Sequence, residues 1–400
     1  MKQKSIIIVS AGTMQVPAIK IARETGLHVI ATDKNPDAPG FAYADLGVAL
    51  DTKDVDGHVA LARELSKKYN IAGAFAAADV AVTVAAITEA LGLPGISLEV
   101  AKASNNKAIM KQKFFAAGVP TPESKEITSL TEAEEMIELW GLPVIVKAVD
   151  SAASRGVKKI EDVSELADAL ADAKRHSSTG TALIEKFYAG TEQSVETVVY
   201  DGVHYRCGVV DRHFGFQPYL IETGHTNPSM LPDDVREELY RITGQAANAL
   251  GIAFGPAKSD TILTEKGPMI LEMAARLSGG FHSQYTTPLA LGMNVIKAVI
   301  DRAVGNPPDI GDLTPRHRKF SVCKAIFPKP GKVAEIRGIE KAGAIPGVEQ
   351  IFLFTGVGQV IRPYLNCANR VCYIITAGET LAEAEIAFEQ AARTIIIETA

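Results

Sequence analysis

The sequence predicts a multi-domain mixed architecture: an N-terminal α/β domain built on a parallel sheet, a larger body with an antiparallel sheet, and a small C-terminal α+β unit. Three observations predict it. Short apolar strands separated by helix-length segments open the chain, which indicates a parallel sheet covered on both faces. Segments 193–199, 203–210, 257–263 and 269–274 alternate as antiparallel strands do. After about residue 305, GNPPDIGDLTPR is a Pro/Gly/Asp linker, followed by strands at 319–327, 348–354 and 370–376 and a helix from about Leu381 to Thr394.

The composition fits this division. A chain of 400 residues exceeds one ordinary hydrophobic core. Its 47% apolar and 22% charged residues are those of a soluble globular enzyme. The net charge of −6 is spread along the chain, against a nucleic-acid surface, which needs a concentrated basic patch. The opening apolar run is five residues long and leads into Gly12, so it reads as a strand rather than a signal peptide. No stretch approaches the ~20 apolar residues that span a bilayer. Four cysteines without a CxxC pair read as reduced thiols of a cytoplasmic protein.

In the first domain, residues 5–10 and 27–32 form strands joined by a helix ending at Gly26, and 71–77 forms another. The fold is Rossmann-like, but the loop S-A-G-T-M-Q lacks the GxGxxG fingerprint. Asp33, ending the second strand, is therefore not taken as a ribose ligand, and NAD chemistry is disfavoured. Gly92-Leu93-Pro94-Gly95 closes this unit. Ser97 caps a short helix, and Asn105 or Asn106 caps a second running to about Ala117. A strand at 143–149 carries Lys147 at its centre. The small-residue loop 151–156, a short strand 157–160, a helix 162–174 and a strand 182–188 follow, and 233–250 is a helix.

The chemistry concentrates at 257–280, AKSDTILTEKGPMILEMAARLSGG. If Glu265, Lys266 and Gly267 form a hairpin loop, Gly267 takes its left-handed position. Thr264 then pairs with Pro268, and Asp260 stands opposite Glu272. Paired residues point to one face with Cβ atoms about 5 Å apart, so two carboxylates would meet there and call for a hard cation such as Mg²⁺. A two-residue loop would put them on opposite faces. Arg276, four residues on, offers a fixed charge for a phosphoryl group, or serves as a surface ion-pair partner. Ser278-Gly279-Gly280 offers backbone amides to an anion. Lys147 interrupts an apolar run, where a charge is costly unless partnered. Lys107 sits in the first turn of a helix, unfavourably for its dipole. The loop Ser151-Ala152-Ala153-Ser154-Arg155-Gly156 can fold over phosphates or be a plain hairpin connection. Glu185 and Lys186 end a strand whose backbone can read an adenine edge, or be an exposed edge. His213, His225 and His282 lie near predicted loops.

In this order, Lys107, PVIVKAV with Lys147, SAASRGV, EKFYAGTEQSVE, Asp260 and EMAARLSGG resemble the ATP-grasp superfamily over about residues 5–305. The tail, with GKVAEIRGIE and IPGVEQ, looks like the C-terminal domain of L-amino-acid ligases. The resemblance implies domains at 1–104, 105–310 (an ATP-grasp domain with a lid subdomain at about 125–190) and 311–400. It implies that Lys107 and Lys147 contact ATP phosphates, and that the loop with Ser154, Arg155 and Gly156 closes over them. Glu185, Lys186 and Tyr188 occupy the adenine hinge and Glu192 holds the ribose hydroxyls. Asp260 and Glu272 bind Mg²⁺ (or Mn²⁺), and Arg276 steadies the transferring phosphoryl. The sequence departs from the pattern at Ala274, where an Asn metal ligand is usual, and at Ala153, where Gly is usual. The implied activity is ADP-forming ligation of a small-molecule carboxylate to an amine through an acyl phosphate, by a homodimer with amino-acid substrates. The alternatives are a purine-pathway or biotin-carboxylase-like enzyme and a non-catalytic nucleotide-binding module.

Overall fold

The computed structural model describes residues 3–400, so the first two residues of the expected 1–104 domain lie outside the described residues. The N-terminal sheet is parallel, in the order Leu46–Ala49, His28–Asp33, Lys4–Val9 and Asn70–Phe75. Alternate residues of a strand face opposite sides. Ile6 and Ile8 accordingly sit in one core and Ile7 and Val9 in another, which is why the run shows no polar alternation. Asp33 is occupied by the first loop: its Oδ2 accepts from the Ala11 N–H at 2.9 Å and the Ser10 hydroxyl at 3.2 Å. The helix Val295–Ala303, far along the chain, packs on this sheet. The fit requires glycine at residue 73, where a Cβ would lie 2.3 Å from the Ala303 carbonyl oxygen.

A second, antiparallel sheet has the order Ser124–Ile127, Ala182–Lys186, Val144–Ala148 and Val157–Ile160. The helices Leu130–Trp140 and Leu166–Arg175 close one face over Val144, Val146, Ile160 and Ile184. Ser129 and Glu132 form a capping box at the first of them.

The third sheet has eight strands, in the order Gly267–Ala274, Gly255–Thr264, Thr191–Tyr200, Val203–Gly215, Ile221–Asn227, Phe320–Ile326, Cys372–Gly378 and Val348–Leu353. Val195, Val199, Val209 and Ala257 are buried beneath the helices Lys107–Ala116 and Asp233–Leu250. Glu192, Ser194, Glu196 and Val198 alternate with them onto the other face, from the cleft below the second sheet to the core of the N-terminal domain.

Two differences from the sequence reading stand out. Ile221–Asn227 is a strand, so His213 and His225 lie in strands rather than near loops. The segment expected as a separate unit at 311–400 also continues the large sheet, because Phe320–Ile326 pairs with Ile221–Asn227. It adds a three-stranded sheet of Val360–Ile361, Gly331–Arg337 and Ile396–Thr399, and the helix Leu381–Thr394, which runs as expected. No helix among the described residues is long and apolar enough to cross a membrane.

Candidate active site

Asp260 does stand opposite Glu272, but by a different route from the one the loop count gives. The turn is the two-residue Glu265-Lys266, with Thr264 paired to Gly267 and Thr261 to Ile270. The register then shifts by one residue, leaving Leu271 extra and Glu272 against Asp260. Such a bulge re-aims the side chains that follow it. Without it, the two-residue turn would have brought Leu271 to Asp260. Leu271 and Glu272 both line a cleft of about 510 Å³ between the second and third sheets.

The carboxylates sit in a strongly cationic setting. Lys258 Nζ is 2.5 Å from Asp260 Oδ2, and Arg212 Nη1 is 3.0 Å from Asp260 Oδ1. The latter contact lacks hydrogen-bonding geometry, which leaves a buried carboxylate oxygen without a hydrogen bond. Lys107 Nζ lies 3.3 Å from Glu272 Oε2. Burial raises the Glu272 pKa, but Lys107, Lys258 and Lys147 outweigh it and hold the carboxyl well below its ordinary value. Two facing carboxylates with hard oxygen donors, one of those oxygens unsatisfied, suit Mg²⁺. Ala274 pairs directly with Lys258 on the same face, so a lysine stands opposite the position where an amide ligand is usual.

Lys147 and Glu185 come together as a buried ion pair. Glu185 is 3% exposed. Its Oε2 is 2.6 Å from Lys147 Nζ and its Oε1 is 3.0 Å from the Nζ of Lys111, a residue the sequence reading did not single out. Lys111 also donates to the Thr121 hydroxyl at 2.5 Å. Burial lowers the Lys111 pKa to about 8 against the pull of Glu185. The Glu185 side chain therefore fixes two lysines. The Lys186 N–H is already donated to the Glu123 carbonyl, and the Tyr188 hydroxyl to Glu123 Oε2 at 2.6 Å, while both residues line the cleft. Glu192 lines it too, 3.3 Å from Arg212 Nη1. Its burial, only partly offset by Arg212, raises its pKa to about 7.

The loop after Lys147 forms the partition between this cleft and a second cavity of about 310 Å³. Residues 151–154 line both. Arg155 and Gly156 line neither, contrary to the placement beside phosphates that the resemblance implies. The Arg155 Nε donates back to the Ser151 hydroxyl at 3.4 Å, and Gly156 packs against the helix Leu166–Arg175. Lys107 Nζ donates to the Ser151 carbonyl at 2.8 Å. Ala153 and Ser154 adopt φ of 59° and 56°, a left-handed conformation that costs roughly 1–2 kcal/mol per non-glycine residue.

The second cavity holds Arg276, which reaches Asp79 of the N-terminal domain at 3.3 Å and the Leu277 carbonyl at 3.1 Å. His282 lines it, with its ring centroid 3.9 Å from that of His225. Burial, then His282 for His225 and Lys258 for His282, push both imidazoles well below their ordinary pKa, so they are neutral. His213 lies on the opposite face with Nε2 3.0 Å from the Thr226 hydroxyl. Glu222 is held by Arg212 at 3.2 Å. Glu196 accepts from the Ser278 N–H at 2.6 Å and the Ser283 hydroxyl at 2.8 Å, pinning the start of Ser278-Gly279-Gly280. Arg212, Lys258 and Glu196 were missed. Only Lys258 carried a signal, a charge two residues before Asp260 in the same strand.

Comparison with known proteins matches this layout. Residues 140–284 fit the model of the ATP-grasp domain, and residues 325–400 that of the L-amino acid ligase C-terminal domain 2. An uncharacterized protein of Sinorhizobium fredii, y4rH, is 27% identical over 99% of this chain and 83% of its own length. The alanine–anticapsin ligase of Bacillus subtilis is 26% identical over 48% of this chain, and the alignment spans 45% of that relative's length. The crystal structure of L-amino acid ligase from Bacillus licheniformis superposes with a TM-score of 0.86 at 22% identity, covering 100% of both chains. The chain therefore carries an ATP-grasp domain followed by an L-amino acid ligase C-terminal domain.

Proposed function

We propose that this chain joins the carboxylate of one amino acid to the amine of another, consuming ATP and releasing ADP and phosphate. The observation that carries the reading is the meeting of Asp260 and Glu272 on one face, with Lys107 beside Glu272 and the cleft continuing to Lys147. ATP takes the cleft, its phosphates toward Lys107, Lys147 and residues 151–154 and its base toward Lys186, Phe187 and Tyr188. Asp260 and Glu272 hold Mg²⁺, whose charge neutralises the phosphate oxygens.

The carboxylate substrate takes the second cavity. Its oxygen bonds to the γ-phosphorus as the bond to the β-phosphate oxygen breaks, giving an acyl phosphate and ADP. The amine nitrogen then bonds to the acyl carbon, phosphate leaves with the carbon–oxygen electron pair, and the nitrogen loses a proton. Arg276 and Lys258 face the charge that develops on the carbonyl oxygen, and fixed charges of this kind act without reorganisation during the step. Neutral His282, which lines this cavity, is in a state to accept the amine proton.

A phosphate-release screen of the twenty amino acids, singly and in pairs with ATP and Mg²⁺, tests the proposal. Release of ADP and phosphate together with a dipeptide supports it. Release of AMP and pyrophosphate, or turnover that needs bicarbonate, refutes it.

A further inference from the structure

The loop between the two cavities is held from the C-terminal segment as well as by Lys107 and Leu220 of its own domain. The Cys367 N–H, in the C-terminal segment, donates to the Ala153 carbonyl at 3.0 Å. The Cys367 thiol lies 3.5 Å from the Ser154 hydroxyl, which also reaches the Leu220 carbonyl at 3.4 Å. Residues 366–370 form a tight turn fixed from two sides. The Asn366 side chain caps it by accepting from the Ala368 N–H at 3.0 Å, and the Arg370 guanidinium donates to the Cys367 carbonyl at 2.9 Å and the Glu222 carbonyl at 2.8 Å. The contact therefore joins a rigid turn to the two residues of the loop whose backbone is left-handed without being glycine. Such a conformation persists only where its surroundings over-determine it.

We infer that the 366–370 turn is a positioning element for the ligase reaction, holding the 151–154 loop over the nucleotide cleft through the Cys367 N–H. This gives the C-terminal segment a direct part in nucleotide binding, and it rests on the reading of that loop as the phosphate-facing one. The thiol is incidental to the role and the backbone donor is central. Cys367 occupies the first position of a short 3₁₀ helix after an extended Asn366, a place where proline is accommodated. Cys367→Pro removes the N–H and puts a ring carbon against the Ala153 carbonyl while keeping the turn.

The test uses the full chain and two readouts, trypsin cleavage after Arg155 and the Kd for ATP in the presence of Mg²⁺. Cys367→Pro should raise cleavage at Arg155 about tenfold and weaken ATP binding about tenfold, as loss of one well-placed hydrogen bond does. Cys367→Ala, which keeps the N–H, should leave both within about twofold. Ala153→Gly in the Cys367→Pro background should recover much of the ATP affinity, because glycine adopts the left-handed backbone without strain. Arg370→Met unpins the same turn and should also open the loop, so the inference does not depend on the proline variant folding. Wild-type cleavage in both Cys367→Pro and Arg370→Met overturns it, as does equal opening in Cys367→Ala and Cys367→Pro. If the loop opens and ATP affinity is unchanged, the latch stands and the phosphate-loop reading falls.

Discussion

Asp260 faces Glu272 because Leu271 is bulged out of register between them and the turn. The hairpin's own count would bring Leu271 to Asp260, and one extra residue corrects it. An acidic pair and an apolar side chain are thereby delivered to the same cleft from consecutive positions.

Glu272→Gln removes one of the two facing carboxylates while keeping its shape. With the metal contributing several kcal/mol to charge stabilisation, kcat should fall by at least about 100-fold. The affinity for Mn²⁺ with ATP present, read by electron paramagnetic resonance, should fall with it, whereas the urea midpoint should change little.

Ala274→Asn would place an amide oxygen opposite Lys258, beside the acidic pair. Titration of Mn²⁺ in the presence of ATP should show tighter binding or an additional ion. An unchanged titration would mean that the Lys258 ammonium keeps that space closed.

Lys111 gives a pH-dependent signature. Its folded pKa of about 8 lies below the ordinary 10.5, so between these values the unfolded chain binds more protons than the native one. Stability should therefore rise with pH across that window from this group. Urea unfolding at pH 7.5 and pH 9.5 should show the increment in the wild type and not in Lys111→Met. Over the same window Lys111 releases Glu185, so the KM for ATP should rise with pH.

Gly73→Ala forces a methyl group into the Ala303 carbonyl at 2.3 Å. Overpacking of this kind costs roughly 1–3 kcal/mol. Thermal unfolding should drop accordingly, with the KM for ATP unchanged, since the contact lies at the interface between the N-terminal sheet and the helix Val295–Ala303.

Much of the fold was legible because its signals were local. SIIIV, ALIEK and the long helix at 233–250 announce themselves by periodicity, and Asn106 announces the helix Lys107–Ala116. Ile221–Asn227 was not legible, since IETGHTN has a glycine at its centre and only one apolar residue, and so no alternation of apolar and polar positions. It is one because both neighbours claim its backbone, and Gly224 lets the Lys324 strand approach so closely that a Cβ would meet Lys324 Cγ at 2.4 Å. The site shows the same division. Asp260 and Glu272 stood out by spacing and Lys147 by the apolar run around it, whereas Lys107 gained a role only through the resemblance. Lys111 read as one more helix lysine until the packing of that helix beneath two sheets buried it. Arg212 and Lys258 lacked meaning until the sheet fixed which face they share.

The pairing of Asn227 with Ser321 makes the large sheet one hydrogen-bonded object from Ala274 to Leu353. A chain cut at the linker near residue 315 would not release a tidy catalytic half. It would strip the partner from Ile221–Asn227 and bare a row of open amide and carbonyl groups, the template on which separate molecules zip together. The two halves are thus bound by solubility as well as by chemistry, and recombination of such chains with those of relatives has its safest crossovers outside the 221–326 span.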